Sequence, residues 1–197
     1  MKLEKDFYER PDVVQISRDL IGKILCTRME GRFTSAMITE TEAYCGRNDR
    51  ACHANDELRT ARTEVMYGPG GVAYVYLCYG IHHLFNVVTN RKGLADAVLI
   101  RAVKPVEGNG IILDRRGRDT ITPQISNGPG KLSQALGIQT LHSGTPLRGK
   151  LIWIEDRQVH ISANQIGSGP RIGIEYAGDH AKRPWRFYLK NSKWVSR

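Results

Sequence analysis

The reading of this chain turns on one stretch, Phe33-Thr34-Ser35-Ala36-Met37-Ile38-Thr39-Glu40-Thr41-Glu42-Ala43-Tyr44. It reads as a long strand. Ile24 to Met29 reads as another, and Glu30-Gly31-Arg32 between them as a turn, so the two predict an antiparallel pair. By the period of two, Ala36, Ile38, Glu40, Glu42 and Tyr44 share one face. That face begins apolar and ends in two carboxylates.

Working outward, residues 11–22 predict the first helix. Pro11 suits its first turn, Val13, Ile16 and Leu20 keep helical spacing, and Gly22 ends it. Residues 46–70 are irregular, charged and closed by Gly68-Pro69-Gly70-Gly71. Val72 to Tyr79 is an aromatic strand, Gly80 a bend and Leu84 to Thr89 the return, which predicts a hairpin over 72–89. Ala97 to Val103 is a further strand. Residues 105–120 predict a short helix running into Arg115, Arg116 and Arg118, and Leu132 to Leu136 a second one stopped by Gly137. Leu151 to Glu155, Arg171 to Ile174 and Trp185 to Leu189 read as short strands. No βαβ alternation and no long linker appear. The expectation is a single compact α+β domain over 1–197, with a curved, largely antiparallel sheet, surrounding helices and a protruding β-hairpin.

Composition narrows the class. Of 197 residues, 41% are apolar and 25% charged, as in a globular chain. Residues 1–99 hold 13 basic and 13 acidic side chains, while 100–197 hold 16 and 7, so the whole net charge of +9 lies in the second half. That points to a polyanionic partner. The longest clean apolar run, Val72 to Tyr79, is far short of the about 20 residues of a membrane-spanning helix. The start, MKLEKDFYERPD, has no apolar core of a signal peptide. None of the four cysteines forms CxxC, so they read as free thiols of a reducing compartment. Cys52-His53 lacks a second ligand pair at zinc spacing, and no metal is expected.

Four clusters can carry chemistry, each with a plainer reading beside it. Glu40 and Glu42, where a strand enters a loop, suit a general base, or else a solvated strand face or a structural ion pair. His53 lies in a long polar connection, where function concentrates, but a lone histidine is commonly a surface or capping residue. Tyr44, Tyr67, Tyr74, Tyr76 and Tyr79 crowd a short stretch. Tyr74 reads as core, whereas rings beside carboxylates suit a flat base and a tip residue suits a wedge. Asn127-Gly128-Pro129-Gly130-Lys131 opens a helix whose N–H groups suit a phosphate. Arg171, Lys182, Arg183 and Arg186 add positive charge to that half, or are merely solvated. Taken together, the clusters fit an enzyme acting on an extruded nucleobase.

These residues resemble the 3-methyladenine (alkyladenine) DNA glycosylase family. The resemblance rests on Ile38-Thr-Glu-Thr-Glu42-Ala-Tyr44, Gly46-x-x-Asp49-x-Ala51-x-His53, Gly70-Gly-Val-Ala-Tyr74-Val-Tyr76-Leu-Cys-Tyr79-Gly80 with Asn86, and Val98-Leu-Ile-Arg101-Ala. Asn127-Gly-Pro-Gly-Lys131-Leu-x-Gln134-Ala-Leu136, Arg171-Ile-Gly-Ile and Pro184-Trp-Arg186-Phe-Tyr continue it in order to the end of the chain. It implies a monofunctional, monomeric hydrolase of base-excision repair. Such an enzyme flips damaged purines from duplex DNA and needs neither cofactor nor metal. By the same resemblance Glu42 activates the water and Arg101 helps hold it. Tyr44, His53 and Tyr76 form the base pocket, and Asn86 excludes guanine. Tyr79 fills the gap in the stack, and Arg62, Lys131 and Arg171 contact the DNA. Thr60-Ala61-Arg62-Thr63 and Gly130 depart from the family's usual residues. No lysine matches a Schiff-base nucleophile, so no strand cleavage is expected. The implied location is the cytoplasm, on the nucleoid, for a bacterial chain, or the nucleus for a eukaryotic one. A non-catalytic or narrowed-specificity nucleic-acid-binding homologue is the rival reading. A zinc deaminase lacks its His-x-Glu and Pro-Cys-x-x-Cys here.

Overall fold

In the computed structural model, which describes residues 1–196, the expected pair is β1 (Ile24–Met29) and β2 (Arg32–Tyr44). They run antiparallel, with Ile24 opposite Met37 and Met29 opposite Arg32. β2 outruns its partner. Beyond Ile38 that edge passes to β8 (Arg186–Leu189), with Glu40 opposite Tyr188 and Glu42 opposite Arg186. The other edge of β2 pairs along its length with β5 (Asp96–Glu107). The sheet order is β3 (Ala73–Cys78), β4 (His82–Thr89), β5, β2, β1, β6 (Ile152–Glu155), with β7 (Ile166–Gly169) beside β8. All of these pairs are antiparallel, and the chain is the α+β domain expected.

The face expected on β2 is in fact two faces. Its register with β5 slips between Ile38 and Glu40 and again between Glu40 and Thr41, which makes Thr39 an extra residue on β2 and Arg101 one on β5. Such a bulge inverts every side chain after it. The packing shows the change: Ala36 and Ile38 lie in the main core, and past the bulge it is Ala43 that joins them, while Thr41 bonds Ser17 beneath the sheet. Glu42 and Tyr44 turn to the opposite side.

The main core fills the space between the sheet and four α-helices: α1 (Lys5–Tyr8), α2 (Val13–Asp19), α3 (Asn109–Arg116) and α4 (Pro129–Leu136). Ile16, Ile112, Leu132 and Leu136 pack on Phe85, Val87, Val98 and Ile100. Burying each such side chain fully stabilises by about 1.5–3 kcal/mol. A second cluster occupies the other face of the sheet. There Cys52, Ala54, Met66 and Tyr67 of the 46–70 connection meet Tyr74, Val88, Ala95 and Ala97.

Three local expectations need correction. Asp12, not Pro11, starts the first long helix, because its carboxylate accepts from the N–H groups of Val14 and Gln15. Residues 105–107 continue β5, and the helix spans only Asn109–Arg116. Arg171 to Ile174 is not a strand. β7 ends at Gly169, and the following segment is pinned by the Arg171 side chain rather than by a ladder.

Candidate active site

Glu42 is fully buried and accepts three hydrogen bonds. Its Oε2 accepts from the Tyr44 hydroxyl at 2.7 Å and from Arg101 Nη1 at 3.2 Å, and its Oε1 from the Ile172 backbone N–H at 2.8 Å. The bulge makes this possible, since without it Glu42 would point into the helix-covered core. Burial pushes the Glu42 carboxyl above its usual range, against the pull of Arg101 and the two other donors. Burial also raises the Tyr44 hydroxyl well above its usual value, with Glu42 adding to the rise. Tyr44 therefore stays protonated and donates.

Glu40, the other carboxylate of the stretch, is equally buried but partnered elsewhere. It accepts from Arg186 Nη1 at 2.9 Å and from the Ser196 N–H and hydroxyl at 2.6 and 2.8 Å. Arg101 lies between the two carboxylates, with its Nε 3.5 Å from Glu40 Oε1.

In front of Tyr44 and Arg101 opens a cavity of about 340 Å³, also lined by His53, Tyr76, Asn86 and Ile172. His53 comes from the irregular connection. That connection leaves β2 at Gly46, where a Cβ would meet the Ala95 carbonyl oxygen at 2.4 Å, so only glycine fits. The imidazole stands edge-on to Tyr76, with ring centroids 4.7 Å apart, and its Nδ1 lies 2.9 Å from the Tyr74 hydroxyl. Its Nε2 faces Arg62 Nη2 at 3.2 Å. Arginine can only donate, so Nε2 accepts and Nδ1 carries the proton toward Tyr74. Burial, with Arg62 adding, pushes the His53 pKa down to about 4, so the pocket histidine is neutral. Arg62 itself is exposed at the rim, over the Tyr76 ring. Tyr74 is the core residue expected, though its hydroxyl end reaches the pocket. The Asn86 amide donates to the carbonyls of Tyr74 and Leu84, which fixes its orientation in the pocket wall.

Beside the cavity the β3–β4 hairpin ends in Tyr79 and Gly80, both at positive φ (51° and 72°). With Cys78 paired to His82, the turn takes three residues, Tyr79, Gly80 and Ile81. Tyr79 is 91% exposed at this tip. Lys131 lies apart from the cavity, exposed on the first turns of α4 and bonded to Asn127. Gly130 there packs against His82, whose ring lies 3.0 Å from where a Cβ would stand.

Arg171 corrects the expectation of a DNA contact. Its side chain is closed to solvent and joined to Asp49 by bonds of 2.5 and 2.7 Å. It also donates to the carbonyls of Ala43 and His180 and lies under the rings of Tyr44 and Trp185. Arg171 thus ties the end of β2, the Asp49 loop and the Ile172 segment together beneath the pocket. Asp49, Ile172 and Ser196 were not among the candidate site residues. Asp49 and the residue pair at 171–172 stood inside quoted motifs, but nothing local signals that they meet.

Residues 6–193 match the family model described as Methylpurine-DNA glycosylase (MPG), which sets the class as DNA glycosylases, enzymes of DNA repair acting on DNA. With relatives of over 40% identity along its full length, the chain belongs to the methylpurine-DNA glycosylase family. These relatives carry the name "Putative 3-methyladenine DNA glycosylase". That of Alkaliphilus oremlandii is 44% identical, with all of both chains covered. That of Methanocella arvoryzae is 44% identical over 99% of this chain and 96% of its own. That of Chlamydia felis is 42% identical over 97% of each. Among the described residues no helix is long and apolar enough to cross a membrane.

Proposed function

We propose that this chain, acting as a monomer, flips alkylated or deaminated purines out of duplex DNA and hydrolyses their N-glycosidic bond, leaving an abasic site. The observation that carries the reading is the buried Glu42 carboxylate, held by three donors directly behind an aromatic pocket. A water bound against Glu42 and Arg101 attacks C1′ of the sugar. Its proton passes to Glu42, the C1′–O bond forms, and the C1′–N bond breaks with its electron pair going to the base. A base already cationic through methylation leaves neutral. General-base assistance of this kind contributes on the order of 10²–10⁴ in rate.

Stacking on Tyr44, His53 and Tyr76 returns about 1–3 kcal/mol per base, against the few kcal/mol that flipping costs. The aromatic faces also attract a cationic base, and a neutral His53 does not repel it. Asn86, fixed by its backbone partners, leaves no room for the exocyclic amine of guanine. Tyr79 fills the vacated place in the stack. Arg62 at the rim and Lys131 on α4 are open to phosphates. Binding then weakens with salt, with a log–log slope of about −0.9 per neutralised phosphate.

The test is base release from duplexes carrying 3-methyladenine, 7-methylguanine, hypoxanthine or ethenoadenine, with Glu42→Gln as the comparison. The variant is expected to bind the lesion duplex and release almost no base. Excision by Glu42→Gln at the wild-type rate would overturn the assignment.

A further inference from the structure

Glu40 sits in the same strand motif as Glu42, is fully buried, and has no place in the reaction just described. Its surroundings are specific. Arg186 comes from β8, Arg101 from β5, and Ser196 from the segment after β8. Ser196 closes the group from both sides. Its hydroxyl donates to Glu40 Oε1 and accepts from Nε and Nη2 of Arg101, each at 3.3 Å. Arg101 is consequently shared. Its contacts with the two carboxylates, 3.2 Å to Glu42 and 3.5 Å to Glu40, are both longer than the about 2.7–2.9 Å of a close charge-assisted bond. Arginine facing one carboxylate usually closes a bidentate fork on it, and here it does not.

We infer that Glu40, with Ser196, is a positioning residue that holds Arg101 back from Glu42, so that Glu42 stays a competent base and Arg101 keeps donors for the attacking water. The inference rests on Glu42 being the base. The charged and titratable groups facing Glu42 are Arg101, Tyr44, Glu40 and, beneath the Tyr44 ring, Arg171, together with the Ile172 N–H, while those facing Glu40 are Arg101, Arg186 and Glu42. Without the Glu40 charge, Glu42 loses a repelling neighbour and gains the whole of Arg101. Both changes favour its ionised form and make it a weaker base.

The experiment measures single-turnover base release against pH for wild type, Glu40→Gln, Ser196→Ala and Glu42→Gln, alongside affinity for the lesion duplex. Glu40→Gln is expected to lower the maximal rate by about 10- to 100-fold, the range of a misplaced reacting group. Its acidic limb moves to lower pH and its duplex affinity stays within twofold, roughly. Ser196→Ala, which leaves the carboxylate in place, moves rate and limb in the same direction by less. If Glu42→Gln is inactive while both other variants keep the wild-type rate and limb, the positioning role is overturned and the Glu42 reading stands. If Glu40→Gln fails to fold, Ser196→Ala with an unshifted limb overturns the role by itself. If Glu42→Gln remains active, it is the base assignment that fails.

Discussion

Asp49→Ala probes the strut beneath the pocket. The Asp49 carboxylate and the Arg171 guanidinium are both closed to solvent. Removing the carboxylate strands the guanidinium inside, with the carbonyls of Ala43 and His180 as its remaining acceptors. Breaking a buried pair from one side costs about 3–5 kcal/mol, because the surviving charge stays desolvated. A domain of this kind is stable by roughly 5–15 kcal/mol in total. At this chain length each kcal/mol lowers Tm by about 2–4 °C, so the expected fall is roughly 6–20 °C. Thermal unfolding followed by circular dichroism measures it. The double variant Asp49→Ala/Arg171→Met recovers part of the loss, since no charge is left stranded. Lys182→Ala serves as the control. It removes the exposed pair with Asp179 and leaves Tm unchanged. A fall smaller than about 3 °C for Asp49→Ala, or a double variant no better than the single, refutes the reasoning.

Other outcomes follow from the same geometry. Base release is lost on acidification at a pH above 4.5, the ordinary glutamate value, because Glu42 is raised and must be ionised to act; a pH–rate profile checks this. His53 ring signals in an NMR titration stay unprotonated until about pH 4. The unfolded chain binds that proton near its ordinary 6.5, so the histidine's contribution to stability declines as pH falls from 6.5 toward 4. Tyr79→Ser weakens binding of a lesion duplex more than of an undamaged one, and equal weakening of both in a gel-shift titration counts against the wedge. Deleting Thr39 removes the bulge and turns Glu42 toward the helices, so the variant loses cooperative unfolding in a urea titration.

Much of the fold was legible because its signals are local. The β1–β2 pair, the aromatic hairpin and α4 announce themselves through turn residues and periodicity within a few positions of one another. The bulge at Thr39 left no such trace, since a threonine in a threonine-rich strand looks like any neighbour. Counting by twos therefore put Ala36 and Glu42 on one face when the sheet separates them. Arg171 misled for a related reason. A basic residue in a basic half reads as surface, and its partner Asp49 lies 122 positions earlier in the chain. The hold of Ile172 on Glu42 spans 130 positions and that of Ser196 on Glu40 spans 156. Contacts at that separation are set by the path of β8 along β2, which no short window contains. The site residues close to one another in sequence, Glu42 with Tyr44 and Tyr74 with Tyr76, were readable from spacing; the joining of Arg101, His53 and Asn86 to them across the fold came only through the resemblance, and the contacts of Asp49, Ile172 and Ser196 through neither.

Glu40 and Glu42 balance Arg101 and Arg186, and Asp49 balances Arg171, so the charges paired beneath the pocket cancel at short range. From a Debye length away this paired set is electrically silent, and attraction of the duplex must come from exposed side chains, Arg62 at the rim and Lys131 on α4 among them. Salt therefore acts on capture and leaves the bond-breaking step alone. Raising ionic strength should weaken the apparent affinity for DNA while single-turnover excision at saturating enzyme stays constant, which separates finding the lesion from removing it.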